Sequence, residues 1–281
     1  MDRLQIIDST TITLFSNLIF KGVGRHPKTG KKKGGIKVHT VIHANEGVLS
    51  DVKFTSAATN DSFMLKPSNL NKGDIMAMDR AYVNYEKFEG LTQKGVIYVT
   101  KMKKSLKYTI NQDVMYQTTD GLMEVRLQYV IFSKQLKGGE TMTHNARIVT
   151  YVDIDKHKLI SLLTNDIDSD PNDNIAIYRK RWEKELLFKQ IKQNFPLKYF
   201  YGESANAIKI QIWVTLIANL LLIVLQRRLK RRWSFSGLAT MIRIALMYYV
   251  NFYTLFNNLE KDWENMLLSV EKSPPQLSLF H

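Results

Sequence analysis

Apolar and β-branched positions alternate with polar ones in three early runs: 4–12 (LQIIDSTTI), 36–44 (IKVHTVIHA) and 47–56 (GVLSDVKFTS). Period-two alternation sends successive side chains to opposite faces, so these runs predict three strands in a meander, separated by glycine-containing segments. A short helical stretch over 60–66 follows, then an apolar strand at 74–79 (DIMAMD), a helix around 82–94 and a strand at 95–102 (GVIYVTKM). Three antiparallel strands followed by alternating helices and strands imply a mixed α/β sheet with helices on its faces.

That order matches the RNase H-like fold. From about Ser105 to Asn165 the texture changes to strand-like runs such as VRLQYVIF and ARIVTYVDI, with turn signals at Thr119-Asp120-Gly121 and Lys137-Gly138-Gly139. This predicts an inserted β-rich module. After Asp170-Pro171 the pattern is helical to about residue 270, ahead of a tail, SVEKSPPQLSLFH, with Ser and Pro signals and no periodicity. The expected organisation is a first core part over 1–104, the insertion over 105–165, and a second core part with C-terminal helices and tail over 166–281. The most apolar stretch, Ile212 to Leu225, is shorter than the roughly 20 residues a spanning helix needs and carries Thr215 and Asn219. It reads as a buried core helix, and no membrane partner is expected.

Composition narrows the function. The chain has 281 residues, 44% of them hydrophobic and 23% charged, enough to bury a core. Lys and Arg number 40 against 26 Asp and Glu, a formal charge of +14, which favours a polyanionic partner such as nucleic acid. With no cysteine, thiol catalysis, disulfides and cysteine-bound metals are excluded. MDRLQIIDST lacks a secretory pattern, and a cytoplasmic location is expected.

The candidate chemistry is carboxylate chemistry. Asp8 lies on the same side of its strand as Leu4 and Ile6, where a carboxylate is costly unless paired or bound to a metal. Asp79 ends its strand directly after IMAM, where parallel sheets open into active-site crevices. Each also has the plainer reading of a turn-capping aspartate. On the helix from Asp173 to Phe195, Tyr178, Arg181, Glu185 and Lys192 stand at offsets 0, 3, 7 and 14. At roughly 100° per residue these fall within a stripe of about 60°, beside an apolar sector formed by Ile177, Leu187, Phe188, Ile191 and Phe195. Surface ion pairs of Glu185 with Arg181 and Lys189 explain the helix alone equally well. His39 and His43 share a strand face, but with no partners at metal-site spacing they read as histidines facing solvent or substrate.

The spacing Tyr178-x2-Arg181-x3-Glu185-x6-Lys192 resembles the Tyr-Arg-Glu-Lys signature of the insertion-sequence-4 family of bacterial transposases, four residue types over fifteen positions. IIDSTTI and GGIKVHT resemble that family's first aspartate block, MDRAYVNYEKF its second, and YRKRWEKELLFKQIKQNF with YFYGESANAIKIQIW its C-terminal block. The similarity runs from Asp8 to about Arg232.

The resemblance implies an RNase H-like DDE transposase catalytic domain. Its triad would be Asp8, Asp79 and Glu185, binding two Mg²⁺ or Mn²⁺ ions. The reaction would be a water-driven nick at a transposon end, followed by attack of the freed 3′-hydroxyl on a second phosphodiester. Tyr178, Arg181 and Lys192 would hold backbone phosphates, and Trp182 is a candidate to stack on a flipped base in a hairpin intermediate. The 105–165 segment has no tryptophan, which leaves Tyr116, Tyr129 or Phe132 as substitutes. Partners would be double-stranded DNA, both transposon ends and target, and a second copy of the chain in the DNA complex. Asp8 lies almost at Met1, so the expectation is either a truncated or internally initiated copy or recognition of the element's ends supplied elsewhere. The alternative is an inactive or repurposed relative that only binds DNA.

Overall fold

The computed structural model describes residues 3–14, 35–66, 70–119, 121, 123–136, 139–153, 157–195, 197 and 199–246; within 183–187 it describes the helical backbone only. The basic segment Lys31–Lys33 and the C-terminal tail lie outside the described residues.

Among the described residues nine strands form one sheet. β1 (Leu4–Thr13), β2 (Gly35–His43) and β3 (Val48–Ser56) are the predicted meander, with β1–β2 and β2–β3 antiparallel. A 3₁₀ turn at Asp61–Met64 stands where the short helical stretch is expected. β4 (Ile75–Met78) returns parallel to β1, and after α1 (Tyr85–Gln93), β5 (Ile97–Lys101) lies parallel to β4. α1 begins with Asn84, whose side chain accepts a hydrogen bond from the Lys87 N–H at 3.2 Å, the capping role that short polar side chains favour. It ends at Gly95, whose positive φ of 70° lets Val96 N–H reach back to Leu91 O at 2.9 Å and Gly95 N–H to Thr92 O at 2.9 Å, a Schellman ending that starts β5.

The 105–165 region supplies β6 (Thr109–Gln117), β7 (Glu124–Gln135), β8 (Thr141–Asp153) and β9 (Lys158–Thr164), all antiparallel to their neighbours. β9 pairs with β5, so the strand order is β3-β2-β1-β4-β5-β9-β8-β7-β6. Gly121 and Gly139, at φ 68° and 87°, occupy the two predicted turns. Asn165, just past β9, ties that junction down. Its amide donates to Thr92 Oγ1 and Val96 O, each at 2.9 Å, and its carbonyl accepts from Tyr98 N–H at 2.9 Å.

Each sheet face carries its own apolar layer. One joins Ile7, Val41, Met76, Met78, Tyr98 and Leu163 to Phe88 and Leu91 of α1. The other joins Leu4, Ile6, Ile42, Ala77, Val99 and Leu162 to Ile175, Ile177 and Tyr178 of α2 (Pro171–Asn194). Helices therefore cover both faces of a mixed sheet, the RNase H-like arrangement predicted from the order of elements.

The chain divides into two compact units, Met1–Lys189 with Leu197–Lys209, and Gln190–Pro196 with Ile210–His281. In the second, α3 (Ala205–Arg228), most of which lies here, and α4 (Phe235–Leu246) surround a small core of Leu229, Leu238 and Ala245, and Gln226 donates to Trp233 O at 2.7 Å. The expectation of a buried core helix over Ile212–Leu225 holds for part of its surface only. α3 has 24 residues, long and apolar enough to cross a membrane by length and composition, with a third of its most apolar window buried. Ile212, Leu216 and Leu222 are buried, while Trp213, Val214, Ile217, Leu221 and Val224 are exposed. Counting consecutive apolar residues could not reveal which positions of α3 are buried and which are exposed.

Candidate active site

β1 and β4 run side by side in the same direction, with Ile7 opposite Met78. One step further in this register, Asp8 stands opposite Asp79, on adjacent strands whose backbones are about 4.8 Å apart. β4 ends there and the chain turns into a 3₁₀ helix, Arg80–Tyr82, with Asp79 as its N-cap residue. Among the described residues β1 has no strand on that side beyond Ile7, and the Ser9 N–H donates to Asp8 Oδ1 at 2.8 Å. The other flank is tied to β2 by the buried Thr40, whose hydroxyl donates to Asp8 O at 3.3 Å. Both aspartates are half-buried, and strand alternation directs Asp8 to the face that Leu4 and Ile6 share with α2.

Tyr82 lies beneath this pair. It is 1% exposed, and its hydroxyl sits beside Ser9 without a hydrogen bond of good geometry. Burial pushes the Tyr82 phenol far up; the neighbouring Ser9 hydroxyl opposes the shift, and the carboxylates of Asp61, Asp8 and Asp79 add to it. Tyr82 therefore stays neutral as a floor of the carboxylate edge.

Asp61, which no local pattern marks as functional, joins the same neighbourhood. Its Oδ1 accepts from Ser9 Oγ at 2.7 Å and pairs with Lys37 Nζ at 3.2 Å, and Lys37 also donates to Thr59 O at 2.8 Å. His39, expected to face solvent or substrate, is fully buried instead. Its Nε2 meets Thr55 Oγ1 at 2.7 Å, and its Nδ1 stands 3.9 Å from Asp61. Burial lowers the His39 pKa, with Asp61 pulling it up and Lys37 down. A carboxylate turn folded over β2 seals this histidine, an arrangement that strand periodicity alone does not contain.

On α2 the structure brings Tyr178 and Arg181 together. The guanidinium lies 4.8 Å from the centre of the Tyr178 ring, with an Arg181 to Tyr178 Oη hydrogen bond of 3.3 Å. Both are buried, at 8% and 3% exposure, deeper than a stripe at the margin of the core implies. Trp182 is 48% exposed and Lys192 is exposed in the last turn. The backbone of Glu185 is helical, on the second turn after Tyr178, and its side chain lies outside the described residues. Among the described residues no three His, Asp or Glu side chains gather closely enough to hold a metal ion, so Asp61 does not complete a ligand set with the two strand aspartates. Two carboxylates held side by side do present the hard oxygen donors that a divalent cation such as Mg²⁺ takes.

A mixed sheet between helices, with aspartates on neighbouring parallel strands, Asp8 midway along β1 and Asp79 just past the end of β4, defines an RNase H-like protein of the carboxylate-bearing kind. The family model described as the transposase DDE domain matches residues 1–221, and the chain belongs to that family. It is 26% identical over 224 residues to y4zB, an inferred transposase of Sinorhizobium fredii, covering 80% of this chain and 61% of that protein. It is 22% identical over 268 residues to the probable transposase for insertion sequence element IS5377 of Geobacillus stearothermophilus, covering 93% of this chain and 65% of that one. An inferred transposase for insertion sequence element IS4SA of Synechocystis is 27% identical over 224 residues, covering 77% and 58%. The chain thus spans about three fifths of the length of these curated relatives.

Proposed function

We propose that this chain is the catalytic core of a DNA transposase, cutting and rejoining DNA strands at the ends of an insertion sequence in the bacterial cytoplasm. The observation that carries the proposal is the register of β1 and β4, which sets Asp8 beside Asp79 on the face covered by α2, the helix that carries Glu185. In this reading Asp8, Asp79 and Glu185 hold two Mg²⁺ or Mn²⁺ ions. Bound there, the ions supply activation of the attacking oxygen and stabilisation of the leaving one. The chain's own part is to fix the carboxylates: Ser9 N–H sets the direction of Asp8, and the end of β4 sets that of Asp79.

Double-stranded DNA, as transposon end and as target, is the proposed substrate, with a second copy of the chain in the complex. Lys101 ends β5, parallel to β4, so the segment through Lys103, Lys104 and Lys107 leaves the same sheet edge as Asp79. Its cations suit a phosphate backbone. Trp182 and Lys192, both exposed, are proposed to meet DNA directly. Tyr178 and Arg181 are proposed to reach a phosphate from the wall of the site.

The test is cleavage of double-stranded DNA by the purified chain with Mg²⁺ or Mn²⁺, compared with Asp8→Asn, Asp79→Asn and Glu185→Gln. The proposal expects each substitution to lower the rate by at least about 100-fold, the scale of losing a transition-state charge stabiliser. DNA binding with no cleavage by the unsubstituted chain under either ion would establish the alternative, a relative that only binds DNA.

A further inference from the structure

We propose that Asp61 is a positioning residue of this active site, acting through Ser9 to fix the Asp8 carboxylate in the direction from which it takes its cation. The inference rests on the assignment of Asp8 and Asp79 as the cation-holding pair.

Ser9 is the link between two sheet faces. Alternation puts Asp8 on the α2 face and Ser9 on the other, opposite His39 of β2. From there the Ser9 hydroxyl donates to Asp61 Oδ1 at 2.7 Å, while its backbone N–H donates to Asp8 Oδ1 at 2.8 Å. One residue thus holds two carboxylates at once. Twisting the Ser9 peptide to release Asp8 would also break its bond to Asp61.

Asp61 is itself well anchored. It opens a 3₁₀ turn that Asn60 caps by accepting from Ser62 N–H at 3.0 Å. The Lys37 ammonium grips it at 3.2 Å and is held in turn by Thr59 O at 2.8 Å. His39 closes the remaining side with its Nδ1 at 3.9 Å, its ring fixed by Thr55.

A role as third metal ligand fits less well. Its Oδ1 already accepts from Ser9 and pairs with Lys37, and Asp61 forms no ligand cluster with other described carboxylates. A carboxylate neutralised by its own lysine and accepting from the hydroxyl of the residue that holds Asp8 orients a ligand rather than being one. Such outer partners commonly carry about 10- to 100-fold in metal affinity.

The experiment measures Mn²⁺ binding to the full chain without DNA, from the electron paramagnetic resonance signal of free Mn²⁺, alongside Mn²⁺-dependent DNA cleavage. Ser9→Ala and Asp61→Ala should each weaken Mn²⁺ binding by about 10-fold. Cleavage should then need more Mn²⁺ but approach the parent rate at saturation, a split that general loss of structure does not produce. Ser9→Thr should restore the binding lost in Ser9→Ala. The double variant should be no weaker than the worse single one, because both act through one chain of bonds. Should Asp61→Ala not fold, Asp61→Asn and the two Ser9 variants carry the test, with Asp61→Asn intermediate because it retains an acceptor for Ser9. Asp8→Asn serves as the reference. Unchanged Mn²⁺ binding and cleavage in Asp8→Asn overturns the underlying assignment. Loss of both in Asp8→Asn, with parent-like binding in the Ser9 and Asp61 variants, overturns the positioning role alone.

Discussion

Replacing Asp79 with Asn should make the metal-free protein more stable while removing its activity. The register of β1 and β4, carried one residue past Ile7 and Met78, sets the Asp8 and Asp79 backbones about 4.8 Å apart, and side chains leaving in parallel would keep the two charges roughly 5 Å from each other. Their repulsion is then about 0.8 kcal/mol if water screens it fully and about 3 kcal/mol at an effective dielectric of 20. Both side chains are half-buried, so about 1–2 kcal/mol is expected. Asn has the shape of Asp and caps a helical turn as well, and the Asp79 side chain makes no capping hydrogen bond, so the substitution isolates the charge. For a chain of this size 1–2 kcal/mol corresponds to a rise in Tm of roughly 2–8 °C. Thermal melts in EDTA and in MgCl₂ check this. In EDTA the variant should melt above the parent. Mg²⁺ at ten times its dissociation constant should add about 1.4 kcal/mol to the parent and little to the variant. A variant that melts below the parent in EDTA, yet gains as much from Mg²⁺, would refute the pairing of these carboxylates.

Other expectations concern the frame around the site. Asn165→Asp keeps the acceptor for Tyr98 N–H but loses both donors, to Thr92 Oγ1 and Val96 O; at about 1 kcal/mol per lost bond plus the cost of facing a carbonyl, urea unfolding should show a loss of about 2–4 kcal/mol. Burial holds the His144 imidazole below its ordinary 6.5, outweighing the upward pull of Glu89 at 2.8 Å. The unfolded chain therefore takes up this proton first. His144 then costs no stability above about pH 6.5 and costs up to about 1.4 kcal/mol per pH unit as pH falls below it; melts from pH 8 to 5 should be steeper in the parent than in His144→Gln. Changing Lys103, Lys104 and Lys107 to Ala together should weaken DNA binding and lower the slope of log affinity against log salt by about 0.9 for each phosphate contact removed, measured by fluorescence anisotropy across salt concentrations.

Local periodicity made much of this protein legible in its sequence. The meander, the apolar strand ending in Asp79, the hairpins at Gly121 and Gly139, and the helix carrying Tyr178 and Arg181 all follow from patterns spanning ten to twenty residues. Strand and helix repeats dictate them wherever they fold. The resemblance in the Tyr-Arg-Glu-Lys spacing belongs to the same class of signal, since four residues on one helix keep their relative bearings without help. Neither that spacing nor the run of apolar residues in α3 could show that Tyr178 and Arg181 are buried against each other, or which positions of α3 are buried; both depend on what packs alongside.

The most consequential contacts are the least local. Asp8 and Asp79 stand at matching positions of neighbouring chain segments because β4 returns parallel to β1 in one register, and a slip of one residue would have turned them to opposite faces. Asp61 meets Ser9 across 52 residues because a 3₁₀ turn folds over the meander, sealing a histidine that strand alternation alone would leave facing solvent. The sequence by itself determined which strands and helices form and which residues are candidates for the chemistry, since these depend on neighbours along the chain. Tertiary structure decided which carboxylates share an edge and which one steadies another, since strand register and loop closure are settled only when distant segments pack.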